Sequence, residues 1–319
     1  MSDVNLIETL EEVGLHPVVV DEDTFSPYIP GTDIRYAWDA SSIEPLKRCG
    51  RLHNYKSQGW RPREESVHLR YGSEYHKTFY DYEVLKASGL SHRDAVFDAV
   101  HALTQRLGDW NPDHPKKNRE TLIRSVIWHM EKYEDDQAET WMMSDGKPAV
   151  EVTFNFPLDF GPPGHDQPYV LCGKLDRIVV FNGDLFVLDY KTTTLSLTDS
   201  YWKQFRMDDQ MSLYTLAGKV VFQAPIKGVV VDAAQILVGG TNFERGIVYR
   251  TQDQLDEWVE NLRFYLDNQN SNTMNTASCI TRYGPCEYLE ICGRTPQVRE
   301  RFLKNSFVQE EPWNPLLPR

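Results

Sequence analysis

The stretch Gly173-Lys-Leu-Asp-Arg-Ile-Val-Val-Phe-Asn-Gly-Asp-Leu-Phe-Val-Leu-Asp-Tyr-Lys-Thr-Thr-Thr194 decides how the chain is read. Two β-branched and aromatic runs flank Asn182-Gly183, and Asn-Gly between apolar runs is the strongest short-range signal for a two-residue hairpin. A turn that short fixes the register. Phe181 then opposes Asp184, Val179 opposes Phe186, Ile178 opposes Val187, and Asp176 opposes Asp189. Side chains alternate faces along a strand, so Lys191 points the same way as both carboxylates.

Directly opposed positions hold their Cβ atoms about 4.5–5.5 Å apart, and like charges placed there are destabilising unless neutralised. A hard divalent cation neutralises such a pair: Mg²⁺ takes carboxylate oxygens at about 2.0–2.1 Å, usually with water and phosphate completing its shell. Beside it, a lysine can orient a water molecule or offset charge developing on phosphorus. The pattern reads as metal-assisted phosphodiester hydrolysis. The other reading is a hairpin whose acids are solvated or paired with Lys174, Arg177 or Lys191.

Working outward, Tyr71, Tyr75, Phe79 and Tyr82, with Val84 and Leu85, are spaced for one buried face of a helix between Arg70 and Ala87. His76 lies beside that stripe, as a packed histidine or as a ligand. Earlier, Asp39 or Ser41 can cap a helix through Ile43, Leu46 and Cys49, with Pro45 in its first turn. Helices over Ser91 to Leu107 and Asn118 to Asp135 are separated by a polar loop at Asn111 to Lys117. A strand begins near Ala149 and carries Glu151, which either assists a metal or pairs with Lys174 or Arg177. It breaks at Gly161-Pro-Pro-Gly and the next resumes at Tyr169. After the hairpin, a helix from Asp199 or Ser200 to about Val221 places Gln210 and Tyr214 on one face. Strands at 227–237 and 246–250 and a helix at 252–268 complete a mixed sheet flanked by helices.

Of five cysteines, Cys172 reads as core packing. Cys279, Cys286 and Cys292 form a late trio, and three soft ligands need a fourth to hold an iron-sulfur cluster or zinc. The close Cys-x-x-Cys pairs of zinc ribbons are missing, which makes zinc the lesser metal reading; three small buried residues are the remaining alternative.

Asp176 followed by Asp189-Tyr190-Lys191 resembles the core of the PD-(D/E)XK nucleases, and Gln210-Met-Ser-Leu-Tyr214 resembles the Gln-x-x-x-Tyr motif of their RecB-like branch. His76 in Gly-Ser-Glu-Tyr-His matches that branch's upstream histidine. Cys49 with Cys279, Cys286 and Cys292 is similar to the one-plus-three cysteine pattern of its iron-sulfur members, the AddB-type, CRISPR-adaptation and phage exonucleases. Six residues separate the first two cysteines of the trio, where many members have two. The resemblance implies that His76, Asp176, Asp189 and the main-chain carbonyl of Tyr190 hold Mg²⁺ or Mn²⁺. By the same resemblance Lys191 positions the attacking water, Gln210 and Tyr214 contact substrate or support the site, and the four cysteines bind one [4Fe-4S] cluster.

A chain of 319 residues, 40% hydrophobic and 25% charged, can bury the core of one large domain. No apolar run approaches the roughly 20 residues that span a bilayer, and the acidic start lacks the basic region of a signal peptide. An intracellular, cytoplasmic protein without a disulfide framework is expected. The net charge of −13 is unevenly spread: residues 1–46 hold ten acids against Arg35. From Lys47 to Arg70 seven bases face only Glu64 and Glu65. Lys47, Arg48, Arg51, Arg61 and Arg63 are thus candidate DNA contacts, interleaved with His53, Tyr55 and Trp60 for stacking; a solvated helix face is the other reading.

These readings converge on an α/β fold with a central mixed sheet flanked by helices. Expected parts are an acidic segment at 1–38, a nuclease domain at 39–293 with a helical elaboration at about 91–147 and an iron-sulfur segment at 279–292, and a tail at 294–319. The expected activity is a Mg²⁺- or Mn²⁺-dependent deoxyribonuclease, an exonuclease on single-stranded DNA or DNA ends serving repair, recombination or phage DNA processing. The alternatives are a non-catalytic DNA-end-binding subunit of a recombination or packaging complex and a zinc-stabilised interaction domain.

Overall fold

In the computed structural model, which describes residues 26–281 and 284–317, strand β1 (Ala37–Trp38) leads into helix α1 (Ala40–Arg48). The Asp39 carboxylate accepts the Ser42 N–H at 3.0 Å while Ser42 Oγ accepts the Asp39 N–H at 2.9 Å, a reciprocal cap that fixes the start of the helix. Pro45 lies inside α1, beyond the first turn expected for it, and Cys49 is an extended residue between α1 and α2 (Gly50–Ser57) instead of a helical one. Strand β2 (Trp60–Pro62) precedes α3 (Val67–Ala87), α4 (His92–Leu107) and α5 (Arg119–Lys132), which Ser66, Ser91 and Asn118 cap. Strands β3 (Glu139–Thr140), β4 (Val150–Pro157), β5 (Val170–Phe181) and β6 (Asp184–Thr193) follow. The single helix expected from Asp199 to Val221 is broken into α6 (Asp199–Lys203), a 3-10 turn (Gln204–Met207) and α7 (Asp209–Phe222). Asp208 is both the break and the cap: its backbone is extended and its Oδ1 accepts the Gln210 N–H at 2.8 Å. Then come β7 (Gly228–Ile236), β8 (Thr241–Tyr249) and α8 (Gln252–Asp267), β8 being a full strand and not the short one read at 246–250. The chain continues through β9 (Ile280–Thr281), β10 (Gly284–Pro285), α9 (Leu289–Cys292), α10 (Pro296–Ser306) and β11 (Phe307–Gln309).

Contacts divide the described residues into two units. The unit made of Glu65–Val152 and Lys174–Leu255 holds strands in the order β5-β6-β7-β8, antiparallel, parallel and antiparallel in turn, with β3 also antiparallel to β5. The parallel step needs a crossover, which α6 and α7 supply. One face of β6 and β7 presents Phe186, Leu188, Tyr190, Val230 and Ala234 to Tyr71, Tyr75 and Phe79 of α3, Leu103 of α4, and Leu122, Val126 and Met130 of α5. The stretch read as a helical elaboration at about 91–147 is therefore the layer that buries the sheet, and its end contributes β3. On the other face α7 lies close: a Cβ on Gly218 would meet Val187 Cγ2 at 3.2 Å.

In the unit made of residues 26–64, 153–173 and 256–317, β1 runs parallel to the start of β5, Ala37 against Val170 and Trp38 against Leu171. Both β1 residues are fully buried, so a boundary at 38/39 falls inside this unit's core. Its small apolar cluster joins Leu52, Tyr288, Ile291, Leu303 and Phe307, and β11 pairs with β2. The supposed tail at 294–319 thus carries a packed helix and strand. Most of the acidic segment, residues 1–25, lies outside the described residues. Among the described residues no helix is long and apolar enough to cross a membrane.

Candidate active site

Asn182 and Gly183 both adopt positive φ, +52° and +85°, which the two-residue type I′ turn requires of both central positions. The resulting register runs from Phe181 opposite Asp184 to Arg177 opposite Leu188, as the turn dictates. One step further come Asp176 and Asp189. There the N–H of Tyr190 donates to Asp176 Oδ2 at 3.1 Å. His76 Nδ1 reaches the same oxygen from α3 at 3.0 Å. Lys191 Nζ lies 3.0 and 2.8 Å from the two Asp189 oxygens and donates to Gln210 Oε1 at 2.7 Å. Gln210 Nε2 donates in turn to the Tyr214 hydroxyl at 2.9 Å. The fold therefore brings together His76, Asp176, Asp189, Lys191, Gln210 and Tyr214. Alternation turns the Tyr190 ring to the opposite face, where it stacks on Phe79 at 4.5 Å.

The two acids are held in different states. Asp189 is 0% exposed, and burial, with the charge of Asp176 added, pushes its carboxyl up to about 6 against the pull of Lys191 and His76. Burial acts on Asp176 too, but His76, Lys191 and the Tyr190 N–H outweigh it and hold that carboxyl below its usual range. Burial lowers Lys191, but Asp189, Asp176 and Asp208 outweigh it and raise it, so it stands as an ammonium and a donor, not as a base. His76 is raised in the same way, burial being outweighed by Asp176 and Asp189.

This donor set fits a divalent cation. Asp189 Oδ2 is buried without a hydrogen bond, since Lys191 Nζ is within ion-pair distance of it but out of line, and the buried carboxylate is unstable for want of positive charge. The ligands are spread: among the described residues, the trio whose His, Cys, Asp or Glu ligand atoms all lie within 4.8 Å of one another is His92 on α4, Glu131 in the last turn of α5 and Glu134 just beyond it. A cation between the acids would take the place of the His76–Asp176 bond. Glu151 pairs with Lys174 at 2.9 Å, yet it lines the same small cavity as His76 and Asp176 and holds a positive φ of +50°.

Behind Tyr190 lies a second polar group, of which the sequence pointed only to Arg177, and to that as a partner for other acids. Asp232 on β7 accepts from Arg245 at 2.8 Å and lies 3.0 Å from His129 Nε2. Arg245 also donates to Asp136 at 2.5 and 2.9 Å. Arg177 spans Glu83 at 3.3 Å, Asp136 at 3.4 Å and the Tyr190 hydroxyl at 3.3 Å.

In the other unit, Cys49, Cys286 and Cys292 flank one apolar cluster. Cys49 Sγ accepts the Asn275 N–H at 3.4 Å, and the Cys279 carbonyl accepts the Cys286 N–H at 2.7 Å. Burial raises the Cys49 thiol, but backbone N–H groups of Asn275, Leu52 and Arg51 outweigh it and favour the thiolate. Cys172 is buried against the Trp38 carbonyl, as a packing residue should be. The basic run is largely engaged within the chain. Arg61 pairs with Glu310, and Arg63 donates to the carbonyls of Asn305 at 3.1 Å and Lys304 at 3.2 Å. Arg48 meets Glu44 and the Ser278 carbonyl, Arg51 meets Asn272, and Lys47 lies over the Tyr265 ring. His53 is buried against Trp38 and Tyr55 packs on Tyr288, so neither ring is presented for stacking on a base.

A family model described as the PD-(D/E)XK nuclease superfamily matches residues 37–293. Among solved structures, a "putative exonuclease" from Eubacterium rectale is 12% identical, with 88% of this chain and 95% of that one covered and a TM-score of 0.49. The protein SSO0001 is 14% identical, with 90% and 94% covered and a TM-score of 0.34. No curated protein matches the chain.

Proposed function

Because the chain belongs to the PD-(D/E)XK nuclease superfamily, we propose that it is a divalent-metal-dependent DNA nuclease of the RecB-like branch, an exonuclease acting on single strands or duplex ends. The observation that carries this reading is the wholly buried Asp189, pushed up to about 6 beside a second acid and a protonated lysine. His76, Asp176, Asp189 and the Tyr190 carbonyl would hold Mg²⁺ or Mn²⁺, which when bound acidifies water and offsets phosphate charge. Lys191, protonated and tied to Asp189 and Gln210, donates to the attacking water or a non-bridging phosphate oxygen as negative charge builds on it. Gln210 keeps the ammonium in place, and its own amide is fixed by Tyr214.

For Cys49, Cys279, Cys286 and Cys292 the reading is one [4Fe-4S] cluster. An N–H donor on Cys49 and an apolar surround are the environment that cluster thiolates use.

The test is to incubate the protein with end-labelled single- and double-stranded DNA, with and without Mn²⁺, and to size the products. Metal-dependent release of mononucleotides or short fragments from ends is expected; no cleavage of either substrate would overturn the reading. Iron content of anaerobically purified protein tests the second site: about four irons per chain are expected, and their retention in Cys49→Ala would contradict the assignment.

A further inference from the structure

Two elements run past the catalytic acids and close on each other. Along α3, Gly72 and His68 lie one and two turns before His76; along β6, Thr192 follows Lys191. A Cβ on Gly72 would come within 4.0 Å of Thr192 Oγ1. At this end the loop before α5 brings in a group of basic side chains. Lys117 Nζ donates to Thr192 Oγ1 at 3.1 Å and to the Thr192 carbonyl at 3.3 Å, and lies 5.1 Å from the centre of the Tyr71 ring. Lys116 Nζ donates to the Thr194 carbonyl at 3.2 Å. His114 Nδ1 accepts the N–H groups of Lys116 and Lys117 at 3.2 and 2.7 Å. The neutral ring therefore carries its proton on Nε2, a donor on the far side from the loop backbone. His68 packs edge-on against His114 with ring centres 5.3 Å apart.

Among the described residues no carboxylate pairs with these groups. Lys117 is 3% exposed, and burial brings its ammonium down to about 8, with no carboxylate among the described residues to offset it. Burial, Lys117 and His114 together lower His68. Buried cations are normally paired; an ammonium has three donors, of which Lys117 gives two to Thr192 and faces the Tyr71 ring with the third, while Lys116 gives one to the Thr194 carbonyl and keeps two. Three residues of strand separate Thr192 from Asp189, about 10 Å; eight residues of helix separate His68 from His76, about 12 Å.

We propose that Lys116, Lys117, His114 and His68 form a subsite for a backbone phosphate of the substrate strand, displaced by about 10–12 Å from the bond that is cut. The subsite rests on the nuclease reading for its position, and its ligand is single-stranded nucleic acid.

The test uses the whole chain with Lys117→Met, which keeps an unbranched stem over Tyr71, with Lys116→Gln, and with both together. Binding of a fluorescein-labelled oligothymidylate is followed by anisotropy in EDTA across a salt series, and cleavage kinetics are measured in Mn²⁺. The double variant, at an unchanged melting temperature, should bind about tenfold more weakly and lose about 0.7 of log–log salt slope per phosphate contact. On the oligonucleotide KM should rise with kcat unchanged, while a dinucleotide too short to reach the subsite should show neither change. In the wild type, a methylphosphonate moved one linkage at a time along the oligonucleotide should reproduce the weakened binding at one position away from the cut bond, and no such position overturns the subsite. An unchanged slope and KM in a folded double variant overturns the subsite and leaves the nuclease reading standing. Binding that falls as described in a protein that cuts nothing would instead overturn the nuclease reading alone. Wild-type protein that binds inorganic phosphate but no oligonucleotide overturns the subsite.

Discussion

The two faces of β6 carry charge and treat it in opposite ways. On the Tyr190 face, Asp232 and Asp136 share Arg245, and Glu83 and Asp136 share Arg177. Burial raises both Asp carboxyls, but His129 and Arg245 outweigh it for Asp232, and Arg245 and Arg177 outweigh it for Asp136, so both stay below their usual range. On the Asp189 face, one lysine serves a wholly buried acid that stands up to about 6. Both faces are walled in by protein, so burial alone does not separate them. What separates them is the outcome: around Asp232 and Asp136 the neighbouring cations outweigh burial, while around Asp189 burial and the second acid outweigh Lys191 and His76.

That contrast can be broken from either side. The largest effect should come from Asp189→Asn, which removes a charge the fold does not need: cleavage should fall about a thousandfold, while the denaturation midpoint stays level or rises. A fall in both would make Asp189 an architectural acid like Asp232. Asp232→Ala should do the reverse, leaving Arg245 and His129 facing a gap and costing about 3–5 kcal/mol in a urea titration, with cleavage per folded molecule within a few-fold of wild type. Tyr190→Phe probes the boundary between the faces. Loss of its hydroxyl from Arg177 should cost about 1 kcal/mol of stability and leave Mn²⁺ affinity unchanged, because the ring, not the backbone at that position, is altered.

Much of the site was legible because strand geometry is rigid. Asn182-Gly183 permits one short turn, the turn sets the register, and a period of two then assigns Asp189 and Lys191 to one face and Tyr190 to the other. Gln210 and Tyr214 were legible for the same kind of reason, four residues apart on one helix, although the break at Asp208 was not: an Asp within a polar helical stretch reads as continuation unless its backbone is seen to be extended. The basic run from Lys47 to Arg70 was legible as charge but its pairing was not, because charge in a sequence carries no record of its partner. Arg61 meets Glu310 and Lys56 meets Glu287 across most of the chain's length. Conversely, Lys116 and Lys117 looked like loop residues, since only the fold carries Thr192 to them. The covering role of α4 and α5 was hidden likewise, because a helix's apolar stripe shows that it packs but not against what.

The most direct measurement is the melting temperature of the purified protein with and without Mn²⁺, taken in parallel on wild type and Asp189→Asn. A cation that binds only the folded state stabilises it by RT ln(1 + [L]/Kd), about 2.7 kcal/mol at a hundredfold excess over Kd. The account predicts a rise of several degrees in the wild type and little or none in Asp189→Asn; His92, Glu131 and Glu134 remain in both, so binding at that trio would raise the two equally. Equal rises in the two proteins, or none in either, would contradict it.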